Sequence, residues 1–228
     1  MRLMTISGPP SSGKTSVILH MIREYTKQCL TAGVIKLDCL MTEDDKLYKA
    51  NNIPVLAGLS GNLCPDHYFA SNVEYCIQWG ECQKLDILII ESAGLCNRCS
   101  PHLKNVTGIC VIDNLIGART PRKIGPMLKM ADVVVITKGD IVSQAEREVF
   151  AFYVRQCNPR AFILIVNGVT GQGCSVLTEA IDEDEELNDI PEALSLRFQM
   201  PAALCSYCLG ETRIGEEFNM GNVRRIDQ

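Results

Sequence analysis

The sequence contains no long apolar run, no cluster of basic residues and only three His. No apolar stretch approaches the ~18–20 residues that a membrane-spanning helix needs, so no membrane span is expected. The formal net charge is −5 and Lys and Arg form no run, so the basic face that a nucleic-acid partner requires is missing. Because the first residues read as a core strand rather than a signal segment, we expect a cytoplasmic protein with no nucleic-acid partner.

Cysteine, in contrast, is abundant, with twelve residues in the chain. In a reducing compartment these are not expected to form structural disulfides, so clustered cysteines indicate metal ligands or redox groups. The cysteines that stand alone in the sequence are predicted to be small buried hydrophobes. These isolated residues are Cys29, Cys39, Cys76, Cys82, Cys110, Cys157 and Cys174.

A phosphate-binding loop lies near the start, where residues 8–15 match the pattern G-x-x-x-x-G-K-[ST]. The loop stands between an apolar strand candidate and an amphipathic helix, so its backbone N–H groups can converge on phosphate at a helix N-terminus. Lys14 is predicted to reach the β- and γ-phosphates of a nucleoside triphosphate and Thr15 to ligate Mg²⁺. The predicted nucleotide contacts here are Gly8, Pro9, Ser11, Ser12, Gly13, Lys14, Thr15 and Ser16.

Apolar strand-like runs alternate with segments of helical periodicity. They cover residues 2–7, 34–37, 55–59, 87–90, 109–112, 133–136 and 162–166. This alternation predicts an α/β fold with a doubly wound, mostly parallel sheet, as in P-loop NTPases. Around residues 182–192 the chain turns acidic and loses its apolar period. We therefore predict a P-loop GTPase domain over residues 1–185, followed over residues 186–228 by a linker and a Cys-containing C-terminal extension.

The base-reading motif is predicted at Thr137–Asp140, which matches the N/T-K-x-D pattern of GTPases through Thr137, Lys138 and Asp140. The Asp140 carboxylate can accept from guanine N1–H and the exocyclic amine, whereas adenine would leave it unpaired at a cost of about 1–3 kcal/mol or more. GTP is therefore expected rather than ATP, although Asp140 could instead cap a helix. Thr137 lacks the amide with which the usual Asn bridges neighbouring loops, which predicts a lower nucleotide affinity. A Gly-rich loop after the last strand candidate predicts further base contacts from Asn167, Gly168 and Val169.

Two carboxylates at strand ends are candidates for holding Mg²⁺ through water or for orienting the attacking water. Glu91 begins the segment Glu91–Gly94, in which an acidic group precedes a glycine, Gly94, whose N–H can approach the γ-phosphate closely. Asp38 follows the strand candidate 34–37. Helix capping is the alternative role for both carboxylates. The predicted catalytic residues are Lys14, Asp38 and Glu91, and the predicted Mg²⁺ ligands are Thr15, Asp38 and Glu91.

Soft metal ligands cluster directly after this segment, in the stretch 96–102 with its CxxC pair and His. Thiolate and imidazole suit Zn²⁺, Ni²⁺, Cu⁺ or an iron–sulfur cluster, and ligands here would move with the phosphate-sensing segment. One CxxC and one His form only half of a tetrahedral site. The candidate transition-metal ligands are Cys64, His67, Cys96, Cys99 and His102. Cys64 and His67 of the neighbouring loop, the same residues of a symmetry mate, or Cys205 and Cys208 could complete the site, and a dimer that shares Cys64, Cys96 and Cys99 is favoured. The alternatives are reducible thiols or a structural zinc knot of Cys96, Cys99, Cys205 and Cys208.

The order of these motifs resembles the SIMIBI-class nickel-insertion GTPases of hydrogenase and urease maturation, HypB and UreG, with CobW as a wider relative. The resemblance covers about residues 1–180 and is most specific in the loop 58–67, where those GTPases carry a Cys-His or Cys-Pro-His metal motif. In this chain Asp66 stands between Pro65 and His67. The resemblance implies a slow GTPase that dimerises with nucleotide and holds a metal ion at the subunit interface for a metalloenzyme apoprotein.

The leading hypothesis is thus a GTP-hydrolysing metallochaperone that delivers a nickel-like transition metal to a metalloenzyme client. The main alternative is a redox or iron–sulfur carrier. It would use the two CxxC pairs and keep the nucleotide-binding fold only as a scaffold. A small-molecule kinase with the same phosphate loop is a third, but the sequence has no Arg-rich segment that resembles a lid.

Overall fold

The computed structural model describes residues 1–182, 190, 193–199, 206–221 and 223–226. Within these residues there are seven strands and seven α-helices. The strands are β1 (Arg2–Ser7), β2 (Ala32–Asp38), β3 (Val55–Leu59), β4 (Ile87–Ser92), β5 (Thr107–Asp113), β6 (Val133–Thr137) and β7 (Phe162–Ile165). The helices are α1 (Lys14–Lys27), α2 (Asp44–Ala50), α3 (Pro65–Cys82), α4 (Pro121–Ile124), α5 (Pro126–Lys129), α6 (Gln144–Cys157) and α7 (Cys174–Asp182). In the described part of the chain, no helix has both the length and the apolar character needed to cross a bilayer.

The strands form one sheet in the order β3-β2-β4-β1-β5-β6-β7, and every pair of neighbours is parallel. The prediction of a doubly wound parallel sheet is therefore confirmed, and each predicted apolar run is a strand. In such a sheet all strands point their carboxyl ends to one edge, where ligands bind. The phosphate loop after β1, the end of β2, the end of β4 and the motif after β6 therefore share this edge.

The sheet is covered on both faces, which explains the nearly continuous apolar character of its central strands. On one face α1 and α7 pack against inward-pointing residues such as Ile6 and Ile89. On the other face α3 covers Leu88 and Ile90, while α6 covers Ile112 together with other residues of β5 and β6. The helices thereby fix the strand ends that carry the polar residues.

The described part of the C-terminal extension contains only short 3-10 turns, at Tyr207–Leu209 and Glu216–Phe218, and two isolated β-bridges. Its apolar residues join the cluster under α3. These residues are Leu196, Tyr207, Ile214 and Ile226. Most of the predicted linker, and Cys205, lie outside the described residues, and so does the side chain of Cys208. The boundary at residue 185 stays a prediction.

Two contacts fasten this extension to the rest of the molecule. The Arg197 guanidinium donates to both carboxylate oxygens of Asp132 at 2.7 Å and also to three backbone carbonyls, among them Leu103 O at 2.6 Å. Near the end of the chain, the side chain of Asn72 on α3 donates to Arg224 O at 2.9 Å and accepts from Ile226 N at 3.0 Å. The last described residues therefore lie along α3.

The ten cysteines whose side chains the structure describes are all free thiols. Among the isolated ones, Cys76, Cys110 and Cys174 are buried as predicted and Cys39 and Cys157 are half-buried. The prediction of burial was wrong for Cys29 and Cys82, which are exposed. Both stand at helix ends, just after α1 and at the last residue of α3, where the apolar period that buries a helix face has run out.

Candidate functional site

The phosphate loop wraps around the side chain of its own lysine. Lys14 is the first residue of α1, and its ammonium group donates to Gly8 O at 2.9 Å and to Pro9 O at 3.0 Å. Burial lowers the pKa of Lys14, and the carboxylate of Glu91 acts in the opposite direction. A Cβ atom on Gly8 would lie 2.0 Å from Val111 O, so only glycine allows the loop to pass this close to β5.

Glu91, near the end of β4, is the most enclosed carboxylate of the site, with 0% of its surface exposed. Its Oε1 accepts from Lys36 Nζ at 2.7 Å and from the Thr15 hydroxyl at 3.4 Å, and its Oε2 accepts from the Tyr48 hydroxyl at 2.9 Å. Burial raises the pKa of Tyr48 well above its ordinary value, so this phenol stays a donor. Glu91 is therefore an acceptor of three hydrogen bonds at the phosphate loop and does not cap a helix.

Lys36, in the middle of β2, was not singled out from the sequence. Its Nζ forms ion pairs with Glu91 at 2.7 Å and with Asp44 at 2.6 Å, and the side chain is 4% exposed. Burial acts to lower its pKa, but the two carboxylates outweigh this effect and the pKa is raised. Lys36 thus joins the end of β4 to the first residue of α2.

A cavity of ≈ 470 Å³ opens between the phosphate loop, β2, α2 and β4. Thr15, Asp38 and Glu91 all line it, so the predicted Mg²⁺ ligands face one space, and a hydroxyl with two carboxylates fits the oxygen ligands that Mg²⁺ takes. The Asp38 carboxylate accepts from Cys39 N at 2.8 Å, so the helix-capping alternative does not describe it.

Gly94 lies between Ala93 and Leu95, two residues that line this cavity. Its φ is +67°, and a Cβ atom there would lie 1.8 Å from Gly8 O. The predicted phosphate-sensing segment therefore touches the backbone of the phosphate loop directly, which no other residue type would allow. Leu95, the next residue, is 55% exposed and also lines the cavity.

The predicted base-reading motif is tied to the phosphate loop by two side chains. The Thr137 hydroxyl donates to Ser12 O at 2.6 Å, and Lys138 Nζ donates to Ser11 O at 2.8 Å. Thr137 therefore does bridge the loops, with a hydroxyl in place of an amide, and the lower nucleotide affinity stays a prediction. The N-cap of α6 is Ser143, so the exposed Asp140 does not cap this helix.

The Gly-rich loop after β7 lies against the first helix. The side chain of Asn167 accepts from the N–H groups of Val169 at 2.9 Å and Thr170 at 3.0 Å, which folds the loop into a tight turn. Gly168 O lies 3.2 Å from His20 Nε2. His20 therefore packs at the surface of α1, and the predicted base loop lies beside this helix.

Three soft ligands meet beside the start of α3. One ligand atom from each of Cys64, His67 and Cys99 lies within 4.8 Å of the others, and His67 Nε2 is 3.8 Å from Cys99 Sγ. Cys64 is the N-cap residue of α3. Hydrogen bonds from the Cys99 thiol and from the N–H groups of Asp66 and His67 lower the pKa of Cys64. The pKa of Cys99 is raised, so Cys64 is the first of the pair to become a thiolate.

The two other predicted soft ligands are not part of this cluster. Cys96 is half-buried beside Cys99, and its sulfur accepts from Arg98 N at 3.4 Å. His102 is directed under β1, where Nε2 faces Met127 O at 3.1 Å and therefore carries the proton, and Nδ1 accepts from the Thr5 hydroxyl at 2.9 Å. The prediction that His102 lies with the cysteines is corrected, because both its ring nitrogens are engaged in the core.

A hydrogen bond joins the first turn of α3, which adjoins the ligand cluster, to the last residue of β4. The hydroxyl of Ser92, the residue after Glu91, donates to Asp66 Oδ1 at 2.5 Å. Asp66 is the residue inserted between Pro65 and His67; it is 1% exposed, and its Oδ2 has no hydrogen-bond partner among the described residues. Burial raises the pKa of Asp66 to about 6, against the effect of Ser92. The sequence gives no sign of this contact, because its two residues lie 26 positions apart along the chain.

Comparison with known proteins agrees with this geometry. A family model described as the CobW/HypB/UreG nucleotide-binding domain matches residues 2–165. The chain is 49% identical over 227 residues to an uncharacterised protein of Methanocaldococcus jannaschii, covering 100% of this chain and 97% of that protein. It is 30% identical over 193 residues to the urease accessory protein UreG of Yersinia pestis, covering 78% of this chain and 87% of that protein. Among solved structures, HypB from Helicobacter pylori in complex with nickel has the same fold, with a TM-score of 0.64 at 17% identity, covering 84% of this chain and 90% of that one.

Proposed function

The chain belongs to the CobW/HypB/UreG nucleotide-binding family, and from this we propose that it is a cytoplasmic GTP-hydrolysing metallochaperone that delivers a nickel-like transition metal to a metalloenzyme apoprotein. The observation that carries the proposal is the cluster of Cys64, His67 and Cys99, which lies one hydrogen bond away from the carboxyl end of β4. Soft ligands and a phosphate loop in one fold fit a protein that releases an ion in step with its nucleotide.

In the proposed reaction, water attacks the γ-phosphate of GTP, and the catalytic contribution of the protein is electrostatic. The N–H groups of the phosphate loop and the ammonium group of Lys14 stabilise the charge on the transferring phosphoryl group. Thr15, Asp38 and Glu91 would hold Mg²⁺, which neutralises the β- and γ-oxygens when it is bound. Asp38, on the open side of the cavity, orients the attacking water. Asp140 selects guanine.

The transition metal is the cargo. Two thiols and an imidazole favour Ni²⁺ or Zn²⁺ over hard cations, and HypB from Helicobacter pylori has been solved with nickel. A tetrahedral site needs a fourth ligand. We infer that a second copy of the chain completes the site across a two-fold axis, where one shared ion takes the same two ligands from each chain, since an isologous contact duplicates every ligand.

The nucleotide part of the proposal is tested by competition binding with a fluorescent GTP analogue. GTP should displace the analogue at least tenfold better than ATP, and Asp140→Ala should remove this preference because the acceptor for guanine is gone. Glu148→Ala, an exposed carboxylate on α6, is the matched control and should retain the preference. Equal competition by ATP in the unmodified protein would overturn the choice of base.

The metal part is tested by anaerobic titration with Ni²⁺ and Zn²⁺. Cys99→Ala should abolish binding and leave GTP affinity intact, whereas Cys82→Ala, which removes an exposed thiol at the far end of α3, should change neither. Unchanged metal content in a Cys64/Cys99 double variant would refute the site. Visible absorbance in anaerobically purified protein would instead favour an iron–sulfur carrier, and a requirement for a second substrate would favour a kinase.

A further inference from the structure

We propose that the hydrogen bond between Ser92 and Asp66 couples the nucleotide state of the phosphate cavity to the affinity of the Cys64, His67 and Cys99 cluster for its metal. This inference rests on the proposed function. It names the contact through which the nucleotide regulates the cargo.

The position of the two residues is the first argument. Ser92 is the last residue of β4 and directly follows Glu91, which contacts Thr15. Asp66 lies in the first turn of α3, directly before His67. The 2.5 Å bond between them therefore connects the neighbour of a residue that lines the phosphate cavity, Glu91, with the neighbour of a metal-ligand candidate, His67.

The chemistry of Asp66 is the second argument. Both partners are 1% exposed, and a carboxyl group in such surroundings needs hydrogen bonds to offset its lost hydration. Ser92 serves Oδ1, but Oδ2 has no partner among the described residues. Buried polar atoms without a partner are rare in folded proteins. A carboxylate in the first turn of a helix is usually satisfied by the free N–H groups there, but Asp66 Oδ2 accepts from none of them, so this oxygen is open to a contact in another state of the protein.

The contacts of Glu91 show how such a change would begin. For the Thr15 hydroxyl to ligate Mg²⁺ it must turn away from Glu91, which accepts from it at 3.4 Å. Glu91 would then accept one hydrogen bond fewer. Ser92 is the next residue of β4, so a shift of Glu91 reaches it directly. Packed interiors convert such small shifts into discrete rearrangements rather than gradual ones. A rotation of the Ser92 hydroxyl frees Asp66 Oδ1, and with it the turn that carries Cys64 and His67.

The experiment measures coupling directly. The full chain is titrated anaerobically with Co²⁺, whose thiolate absorption reports binding, in the presence of Mg²⁺-GDP and of a Mg²⁺-bound non-hydrolysable GTP analogue. The ratio of the two Co²⁺ dissociation constants should be about 5–150 in the unmodified protein, the usual range for coupled sites. Thermodynamic reciprocity requires Co²⁺ to change the ratio of the nucleotide affinities by the same factor.

Ser92→Thr and Ser92→Val form the matched pair, because they add the same bulk and differ only in the hydroxyl. Ser92→Thr should keep the ratio, and Ser92→Val should bring it to within twofold of one. Mg²⁺-GDP affinity, measured on both variants, should stay within about threefold of the unmodified protein and shows that the fold is intact. Ser100→Ala removes a buried hydroxyl in the same Cys-containing segment, where it contacts His102 N at 3.4 Å, and should keep the ratio.

The outcomes separate the coupling from the function. If Ser92→Val keeps the full ratio, or if the unmodified protein binds both Co²⁺ and nucleotide with a ratio of one, the coupling is overturned while the two binding sites stand. If the unmodified protein binds no nucleotide or no Co²⁺, the proposed function fails and the coupling fails with it. Should Ser92→Val not fold, the same titration on Ser92→Ala decides, and a retained ratio there has the same meaning.

Discussion

Lys36 illustrates how one buried charge can organise a site. In the sequence it lies inside the apolar run 34–37, where no motif marks it as a site residue. In the structure β2 is covered on both sides, and the Lys36 ammonium group is held between Glu91 and Asp44. A buried charge is tolerated only when it is paired, so the three groups depend on one another.

Replacing Lys36 by Met should lower the free energy of unfolding by about 3–5 kcal/mol, because it leaves Glu91 buried without its cation. Urea denaturation at neutral pH measures the change. Lys49→Met is the control, since Lys49 pairs with Asp45 on the surface, where its side chain is 64% exposed, and such pairs contribute little. A loss below about 1 kcal/mol for Lys36→Met would show that Glu91 does not depend on this lysine.

His102 should make the protein sensitive to mild acid. Burial, with a smaller effect of Arg197, lowers its pKa to about 4 and the carboxylate of Asp132 opposes the shift; the unfolded chain binds the proton from about pH 6.5 downwards. Between these values only the unfolded state is protonated, so stability is lost as the pH falls. Between pH 7.5 and pH 4, the unfolding free energy of the unmodified protein should therefore drop by about 3 kcal/mol more than that of the His102→Gln variant.

Urea denaturation at several pH values measures this difference in slope. His20→Gln, which removes a half-buried imidazole on α1, is the control for the loss of one histidine. Parallel pH profiles for the unmodified protein and His102→Gln would contradict the burial of a neutral imidazole at this position.

At the level of strands and helices, the sequence was sufficient for the fold. Central parallel strands are apolar on both faces, so runs such as 109–112 and 133–136 stand out from their surroundings, and the phosphate loop fixes the order of strand and helix at the start. The carboxyl ends of these strands then indicated Asp38 and Glu91. Their roles toward Mg²⁺ and water stay predictions.

What the sequence could not supply are contacts between distant segments. The pairing of Asp66 with Ser92, and of Arg197 with Asp132, joins segments with no shared periodicity. The spacing of His102, three residues after Cys99, predicted a common ligand set, but the chain turns inward at Ser100 and Pro101, which are fully or almost fully buried. Local spacing indicates which residues can bind a metal and not which of them face the same way.

As a complete assembly, the protein is expected to be a dimer whose formation depends on nucleotide and metal together. The three ligands on one chain leave a tetrahedral site unfinished. With the Mg²⁺-bound GTP analogue and Ni²⁺, light scattering after size-exclusion chromatography should give twice the 25.2 kDa of one chain, with about one ion per two chains. With GDP, or in Cys64→Ala, the monomer should dominate.

A dimer that forms equally with GDP and without metal would contradict this assembly. The control is Cys29→Ala, which removes an exposed thiol just beyond α1 and should leave the nucleotide- and metal-dependent dimer unchanged.

The placement of the C-terminal residues has a practical consequence for handling the protein. Ile226 packs against Gly58, and Asn72 binds the backbone of Arg224, so this end of the chain runs beside the loop that leads to Cys64. A polyhistidine purification tag fused there would follow a segment that packs beside this loop, and it would itself chelate nickel. Stoichiometries measured on such a fusion would count the tag's ions as cargo, so a cleavable handle at the opposite end is the appropriate choice.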